Sequence, residues 1–448
     1  MADLTQEAAE MLTLMQDKRT ILSAPGSKLS SLYYNVMNST VDSVEITFNT
    51  GRYVSSLSTP LFGAQSQVIL ANSSFVGEVY LHLELPNLWP GQSLSRGWGY
   101  GAIQQLSFLF GSSNVSQLTV NGQTLWHKIA MQCENAEKRS ELFRLGGDEL
   151  LSPIQRLNSL TGLPERDPDA VLSADILLPL PWSSASGLFG KKAFDTNLLV
   201  NPITIQLTFN QSTSVFGGSI SPNPFPSGFT TATMIFRQGD LFSKSMSLKN
   251  KLLSMPDQSM FYPWIYTQSY LPTQFYGSNV ASQPITMPLL GFINADLLAL
   301  TIGVVRTSLL APVQGQPPNI FQYDNIQNVS LLFNGTVMFN APRQSWKLFT
   351  MKSGLGAQYF HNSLIQTAGV GTFSSIPQDA YLLHIDFSSI RSMSFEGMMQ
   401  NVWRIGNNTL SLSFTTEGDQ TVRYQAFCSY HYNSVVQVQQ GQTAIYFD

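Results

Sequence analysis

The sequence predicts an all-β protein with two similar domains in tandem and a short helix at the N-terminus. Three observations support this fold class. Segments typical of β-strands recur in the same order in the two halves, apolar and polar residues alternate within them, and residues typical of turns separate them. Many short strands between turns favour β-sandwiches or barrels over alternating strands and helices.

The internal repeat consists of three pairs of segments. They are 103–110 with 326–333, 177–184 with 382–389, and 205–209 with 410–414. The offset between partners falls from 223 to 205 residues along the chain, and Trp126 and Trp346, which follow the first pair, are 220 residues apart. A falling offset predicts longer connections in the first copy, because duplicated domains differ in length mainly in their loops. Two similar β-domains in tandem favour a unit of assembly over an enzyme.

The first predicted element is a helix over residues 5–17. Thr5 is a favourable N-cap, and apolar residues at i, i+3, i+4 and i+7 form one narrow stripe: Ala8, Met11, Leu12 and Met15. An isolated helix of this length is only marginally stable in water, so the stripe is expected to dock on another surface. The alternatives are its own domain, a neighbouring subunit, a minor protein and a membrane.

The strands begin where the period of the apolar residues changes from 3.6 to 2, at about residue 40. Alternation is clearest in 78–85 and in 203–209. Each of these runs predicts a strand with one face in the core and the other toward solvent. His82 lies on the polar face of the first run, and we expect it to be solvated.

The connections between the strands are rich in Gly, Pro, Ser and Asn, most clearly in 217–228, 312–319 and 354–377. Charges of alternating sign in 133–151 predict a solvated helix within the longest connection of the first copy. The join between the copies is expected near residues 240–256. The predicted domains are a helical arm at 1–25, a first β-domain at 26–245 and a second at 246–448.

The composition excludes several functional classes. Charged residues make up only 12% of the 448, which is typical of surfaces that other protein covers. A net charge of −4 argues against a specific nucleic-acid binder, which needs a basic surface. Two cysteines exclude a disulfide scaffold. No secretory signal is evident, and the longest apolar stretch, 297–305, is too short for a membrane span, so we expect production in the cytoplasm.

Five segments resemble one family, the double jelly-roll major capsid proteins of icosahedral double-stranded DNA viruses. This group includes the nucleocytoplasmic large DNA viruses, virophages and polinton-like viruses. The segments are 77–86, 99–111, 174–182, 197–205 and 430–447, in the order of the family. The chain departs from the usual pattern at Trp182, which serine follows where large-virus members have a second bulky aromatic residue, and at residues 392–394.

The resemblance implies that each domain is an eight-stranded jelly-roll sandwich, so that the fold is a double jelly roll. It implies a homotrimer with six similar β-domains, a pseudo-hexameric capsomer that tiles the facets of an icosahedral shell in the virion. The implied partners are neighbouring capsomers, minor and penton capsid proteins, and an internal membrane through the N-terminal arm. No cofactor, enzymatic activity or specific nucleic acid is expected.

The competing hypothesis is a tandem jelly-roll protein that binds or cleaves carbohydrate. Trp89, Trp98 and Trp403 would then be exposed to stack on sugars. The five histidines are scattered along the sequence, and His431, between two tyrosines, is expected at an interface or core edge. Segment 165–169 is the densest acidic loop, for which an ordinary turn is favoured over a calcium site. No catalytic motif is found.

Overall fold

A computed structural model gives the fold. It describes the following residues: 46–70, 75–86, 88, 92–95, 97–109, 116–132, 142, 145–147, 155–157, 164–166, 175–180, 194–196, 199–218, 224–241, 260–269, 273–276, 285–289, 297–310, 318, 320–321, 323, 326–342, 383–386, 410–416, 421–439 and 442–447. Within these ranges, no helix is long and apolar enough to cross a membrane.

The first half contains thirteen of the strands in these ranges and two helices. The strands are β1 (Ile46–Ser56), β2 (Gln65–Leu70), β3 (Phe75–Glu84), β4 (Gln92–Leu94), β5 (Ile103–Leu109), β6 (Ser116–Val120), β7 (Gln155–Leu157), β8 (Pro164–Arg166), β9 (Asp175–Leu180), β10 (Phe194–Asp195), β11 (Ile203–Phe209), β12 (Phe216–Gly218) and β13 (Thr231–Leu241). The helices are α1 (Trp98–Gly101) and α2 (Gly122–Gln132).

The second half contributes the remaining strands of the same ranges. They are β14 (Met260–Ser269), β15 (Thr273–Tyr276), β16 (Ile285–Leu289), β17 (Leu297–Arg306), β18 (Ile326–Phe333), β19 (Thr336–Pro342), β20 (Leu383–Asp386), β21 (Leu410–Thr416), β22 (Arg423–Gln439) and β23 (Gln442–Phe447). The chain is therefore all-β in character, as the alternating sequence predicts.

Two main sheets form the first half, beside the two-stranded sheets β4-β12 and β7-β8. One has the order β1-β13-β3, with β9 and β10 both pairing with the far edge of β3. The other has the order β2-β11-β5-β6. Burial alternates strictly along β11, whose odd-numbered residues Ile203 to Phe209 face the core. In β3 the same alternation buries Val79, Leu81 and Leu83, as predicted. Burying one such side chain contributes roughly 1.5–3 kcal/mol, so both strands are stabilised mainly through one face.

The second half repeats this topology. Its sheets contain the orders β14-β22-β17-β20 and β16-β21-β18-β19. Each of the six pairings in these two orders is antiparallel and has an antiparallel counterpart in the first half. Eight strands in each half thus occupy equivalent places, which is a double jelly-roll arrangement. The three repeated segment pairs fall on the equivalent strands β5 and β18, β9 and β20, and β11 and β21.

The register is the same in the equivalent strands β13-β3-β9 and β22-β17-β20. Tyr80 of β3 lies between Ile235 of β13 and Pro179 of β9. Its equivalent, Thr301 of β17, lies between Ser429 of β22 and His384 of β20. Because these registers agree across three strands, each position on the β13-β3-β9 sheet can be matched to a position on the β22-β17-β20 sheet.

Turn chemistry supports the pairing of β18 with β19. Phe333 pairs with Thr336, so the hairpin loop is the two residues Asn334 and Gly335. Their φ angles are 49° and 78°, which are the left-handed values that a type I′ turn requires. Asn-Gly is the preferred dipeptide for this turn because both residues tolerate positive φ.

Several sequence predictions can be compared with the structure only in part. The helix at 5–17 and the domain join at 240–256 lie almost entirely outside the described residues. The helix predicted at 133–151 also lies mostly outside them, although Leu142 and Leu145 are helical. The structure instead shows α2 immediately before it, over Gly122–Gln132, which sequence reasoning missed. The boundaries of the two domains remain predictions.

Candidate assembly interface between the two halves

The two halves are joined edge to edge in one continuous sheet. Strand β6 of the first half pairs in parallel with β14 of the second, with Thr119 opposite Gln268. The combined order is β2-β11-β5-β6-β14-β22-β17-β20. One sheet of the first half therefore continues directly into the β14-β22-β17-β20 sheet of the second half.

Helix α2 crosses this junction, and its first turn is determined locally. The Asn121 side-chain oxygen accepts a hydrogen bond of 2.8 Å from the Thr124 backbone N–H, as an N-cap does. A side chain at Gly122 would overlap the carbonyl group of Tyr100, so only glycine allows the helix to begin this close to α1.

The apolar side of α2 packs on the first half. Leu125, Trp126 and Ile129 are fully buried. The Trp126 ring lies 5.3 Å from the ring of Tyr100, which in turn contacts Phe321 of the second half at 6.1 Å. These residues belong to the same hydrophobic cluster as the core of the first sandwich. The junction is therefore an extension of that core.

The polar side of α2 faces β22 of the second half. His127 Nδ1 lies 2.8 Å from Ser429 Oγ, and His127 Nε2 lies 3.2 Å from the Tyr323 hydroxyl oxygen. Ser429 donates a hydrogen bond of 3.2 Å to Thr124 Oγ1. If the proton of His127 is on Nδ1, Nδ1 donates to Ser429 Oγ and Nε2 accepts from the Tyr323 hydroxyl group. The contact is then a closed polar network between the halves.

A second layer of polar residues lies on the same face of the second-half sheet. Thr301 Oγ1 is 2.9 Å from His384 Nδ1 and 3.4 Å from His431 Nε2, and Thr267 Oγ1 is 3.2 Å from His431 Nδ1. His127, His384 and His431 are all buried. These three histidines are scattered along the sequence, and the fold brings them together. The prediction that His431 lies at an interface or core edge agrees with its position.

Burial controls the charge of this junction. Desolvation, followed by repulsion from His384, lowers the pKa of His127 from 6.5 to about 3. Desolvation lowers the pKa of His431 well below its usual value, and His384, His127 and Lys128 lower it further. Burial also lowers the pKa of Lys128 to about 7. These two histidines are therefore neutral at pH 7, and Lys128 is partly neutral.

The described residues of the junction indicate neither metal binding nor a reactive thiol. No group of three metal-ligating side chains is present among the residues that the structure describes. Burial raises the pKa of the free thiol of Cys428 to about 12, so this cysteine is protonated and unreactive at neutral pH. The arrangement can hold two domains in a defined orientation.

The other residues singled out in the sequence have mixed outcomes. His82 is 26% exposed and lies 2.5 Å from Asp175, as expected for a solvated face. Trp98 is only 1% exposed, so the prediction that it is available to sugars is wrong. The stripe of the N-terminal helix, the side chains of 165–169, and Trp89, His361 and Trp403 lie outside the described residues. The stripe consists of Ala8, Met11, Leu12 and Met15.

Comparisons with known proteins identify the fold. No protein-family model matches the chain, and no curated protein matches its sequence. Among solved structures, PBCV-1 VP54, fitted into a reconstruction of the virophage Sputnik, has a TM-score of 0.55 and 10% identity over 91% of this chain and 98% of that one. The mavirus major capsid protein has a TM-score of 0.54 and 11% identity, covering 90% and 92%. A chain of the Sputnik virophage has a TM-score of 0.55 and 13% identity, covering 90% of each.

These similarities span nearly the whole chain, although the sequences have diverged almost completely. The chain has the double jelly-roll fold of the major capsid proteins of DNA viruses and virophages.

Proposed function

We propose that the protein is a major capsid protein that assembles as a homotrimer, a pseudo-hexameric capsomer of an icosahedral DNA-virus shell. The observation that carries this proposal is the duplicated sandwich within one chain. It matches, over at least 90% of its length, chains that include the mavirus major capsid protein. The proposed role is structural rather than catalytic.

Duplication has a physical purpose in such a shell. A flat layer with hexagonal packing needs units with six similar edges, and three chains with two sandwiches each supply them. The rigid junction supports this role, because the continuous sheet and the buried network at His127 and Ser429 hold the two sandwiches in one orientation. A flexible linker would not fix the angle that a closed ring of six domains requires.

The remaining partners follow from this role. The low charge content suits sides that neighbouring capsomers bury. The N-terminal arm, through Ala8, Met11, Leu12 and Met15, would dock on a minor capsid protein, a neighbouring subunit or an internal membrane. Penton proteins would close the shell at its vertices. Synthesis would take place in the host cytoplasm, before incorporation into the virion.

The carbohydrate hypothesis relied on three tryptophans, of which the structure describes only Trp98. It needs aromatic side chains on the surface, and Trp98 is buried beneath the Gly146–Gly147 turn. We therefore do not carry it forward as a second function.

The test is the size and shape of the purified full-length protein. Three chains of 49.5 kDa would give a particle of about 150 kDa by native mass spectrometry. Negative-stain images would show particles with a hexagonal outline. A monomer at every concentration that can be reached would contradict the proposal, as would retention on a glycan column.

A further inference from the structure

Among the sixteen described strands that occupy equivalent places, one pairing has no counterpart inside the chain. Within each half, the pairings of these strands match. The pairing between the halves, β6 with β14, has no second example. The equivalents of β6 and β14 are β19 and β1, because each occupies the same end of its own sheet. If contacts between copies of the chain follow the same equivalence as contacts between its halves, β19 and β1 should pair as β6 and β14 do.

Both of these strands have an open edge within the described part of the chain. β1 pairs with β13 on one side only, and β19 pairs with β18 on one side only. The edge strands β2 and β16 are also equivalent to each other, but both are open. Among the edges of the equivalent strands that the structure describes, this class alone is paired in one case and open in the other.

Open edges of this kind tend to pair with another strand. An exposed strand has unpaired N–H and C=O groups that attract another strand, and proteins normally shorten or charge such edges. β19 has seven residues with no charged side chain, and Val337 on it is 55% exposed. β1 has eleven residues, of which Arg52 alone is charged. Both strands are therefore long and carry little charge, although β1 is irregular between Thr47 and Gly51 and β19 ends in Pro342.

We infer that β19 of one copy of this chain pairs in parallel with β1 of the next copy, with Asn340 opposite Tyr53. This inference rests on the proposed homotrimer and names the edges that would form it. The occupant of each open edge is thus a second copy of the same chain. Pairing by addition of a strand to a sheet edge is a common mode of protein association.

The register follows from the equivalent strands. Thr119 of β6 pairs with Ser107 of β5, and Asn340 of β19 pairs with Ser330 of β18. Ser107 and Ser330 are 223 residues apart, the offset of the first repeated segment. Asn340 therefore takes the place of Thr119 at the edge.

The partner residue is found in the same way. Gln268 of β14 pairs with Tyr430 of β22, and Tyr53 of β1 pairs with Phe236 of β13. Phe236 and Tyr430 are equivalent, because they pair with Val79 and Leu300 at the same register of β3 and β17. Tyr53 therefore takes the place of Gln268.

The sheet face next to β1 supports this docking mode. In the second half, Ser429 is buried beneath α2 of the first half. Its equivalent in the first half, Ile235, is only half-buried, and Asp175 on the same sheet is 54% exposed. The connection that matches the one containing α2 lies between β19 and β20 and contains Trp346, the repeat of Trp126, outside the described residues. The second half of a neighbouring copy would cover this face.

The resulting contact is head-to-tail and uses each open edge once. A heterologous contact of this kind either grows into a filament or closes into a ring, depending on the rotation between copies. In a ring of six domains with equivalent junctions, the junctions would lie alternately within a chain and between two chains. Three chains would then close the ring.

The test is a pair of cysteines at the predicted register. Adjacent strands lie about 4.7–4.9 Å apart, within the Cα separation of about 4.4–6.8 Å that a disulfide spans. The full-length double variant Tyr53→Cys and Asn340→Cys should give covalent dimers and trimers on a non-reducing gel after mild oxidation. The single variants control for Cys133 and Cys428. A matched control combines Asn340→Cys with Ile69→Cys, since Ile69 is 51% exposed on the opposite sheet of the first half.

A second variant tests the neighbouring face. Ile235→Arg should convert the trimer largely to monomer, whereas Ile69→Arg should leave it intact. If the wild-type protein is a trimer but the double-cysteine variant cross-links no better than the Ile69 control, the inference is overturned and the capsid proposal stands. If Ile235→Arg leaves the trimer intact, the inference is overturned as well. A wild-type protein that stays monomeric overturns the proposed function itself.

Discussion

His127 of α2 and Ser429 of β22 are 302 residues apart in the sequence, and 2.8 Å separates Nδ1 of one from Oγ of the other. This hydrogen bond connects the two sandwiches at a point from which water is excluded. A buried polar contact adds little net stability when it is satisfied, but it is costly to break on one side. The junction should therefore be stable while its histidines are neutral and sensitive to their protonation.

We expect the folded protein to lose stability as the pH falls below 6.5. The pKa of His127 is 6.5 in the unfolded chain and about 3 in the folded one, so below pH 6.5 the unfolded state binds more protons. Its contribution is present in full above pH 6.5 and is lost progressively toward pH 3. Between pH 6.5 and 5 the loss is about 2 kcal/mol for His127. Urea unfolding at constant protein concentration between pH 7 and 5 measures it.

The variant His127→Gln should flatten this dependence, because one titrating group is removed from the junction. Val337→Ala is the control, since Val337 is 55% exposed and its replacement removes no titrating group, so this variant should keep the pH dependence of the wild type. An unchanged slope in His127→Gln would show that this imidazole does not govern the acid response.

Lys128 should destabilise the folded protein at neutral pH. Burial lowers its pKa from 10.5 to about 7, so between these values the unfolded chain binds the extra proton. Stability should therefore rise from pH 7 to 10 and be lost again as the pH falls. Lys128→Met should raise the free energy of unfolding at pH 7 by roughly 1–3 kcal/mol and remove most of this rise. A less stable Lys128→Met protein would show that the amine makes an interaction worth more than its desolvation.

The sequence predicted well those features that depend on local periodicity. Alternation in 78–85 and 203–209 identified both strands and their buried faces, because a half-exposed strand must repeat every second residue. The internal repeat identified equivalent strands, although at low similarity. Leu207 pairs with Leu106 and Leu412 with Leu331, so the register differs by two residues between copies. An even shift keeps the same face inward, which is why the repeat survives.

The junction could not be predicted because its contacts join distant parts of the chain. His127, His384 and His431 come from three elements, and nothing local to each residue indicates the others. Helix α2 did carry a local signal. Asn121 is a favourable N-cap, and Leu125 and Ile129 are four residues apart on one face. The short length of the helix and its glycine start obscured this signal.

Gly122→Ala should be strongly destabilising. A Cβ atom at this position would overlap the backbone carbonyl of Tyr100, and backbone cannot move aside as a side chain can. We expect a loss of at least about 2–3 kcal/mol, with α2 displaced and the junction weakened. The matched control is Gly101→Ala on neighbouring α1, where the nearest atom would be 3.6 Å away, an ordinary contact. Thermal unfolding of both variants measures the difference. Equal effects would show that helix propensity, rather than the contact with Tyr100, decides the outcome.

Leu81 and Ile302 should have similar energetic roles, since they occupy equivalent places in β3 and β17. Leu81 pairs with Met234 and Leu178, and Ile302 pairs with Cys428 and Leu383. Both are fully buried, so truncation to alanine should cost roughly 2–5 kcal/mol in each half through lost burial and the cavity left behind. Val337→Ala, on an exposed strand face, should cost less than about 0.5 kcal/mol. Chemical denaturation gives all three values. If the continuous sheet couples the two sandwiches into one cooperative unit, both core variants should shift a single transition. Two separate transitions, each sensitive to one variant, would show instead that the sandwiches unfold independently despite the junction at His127.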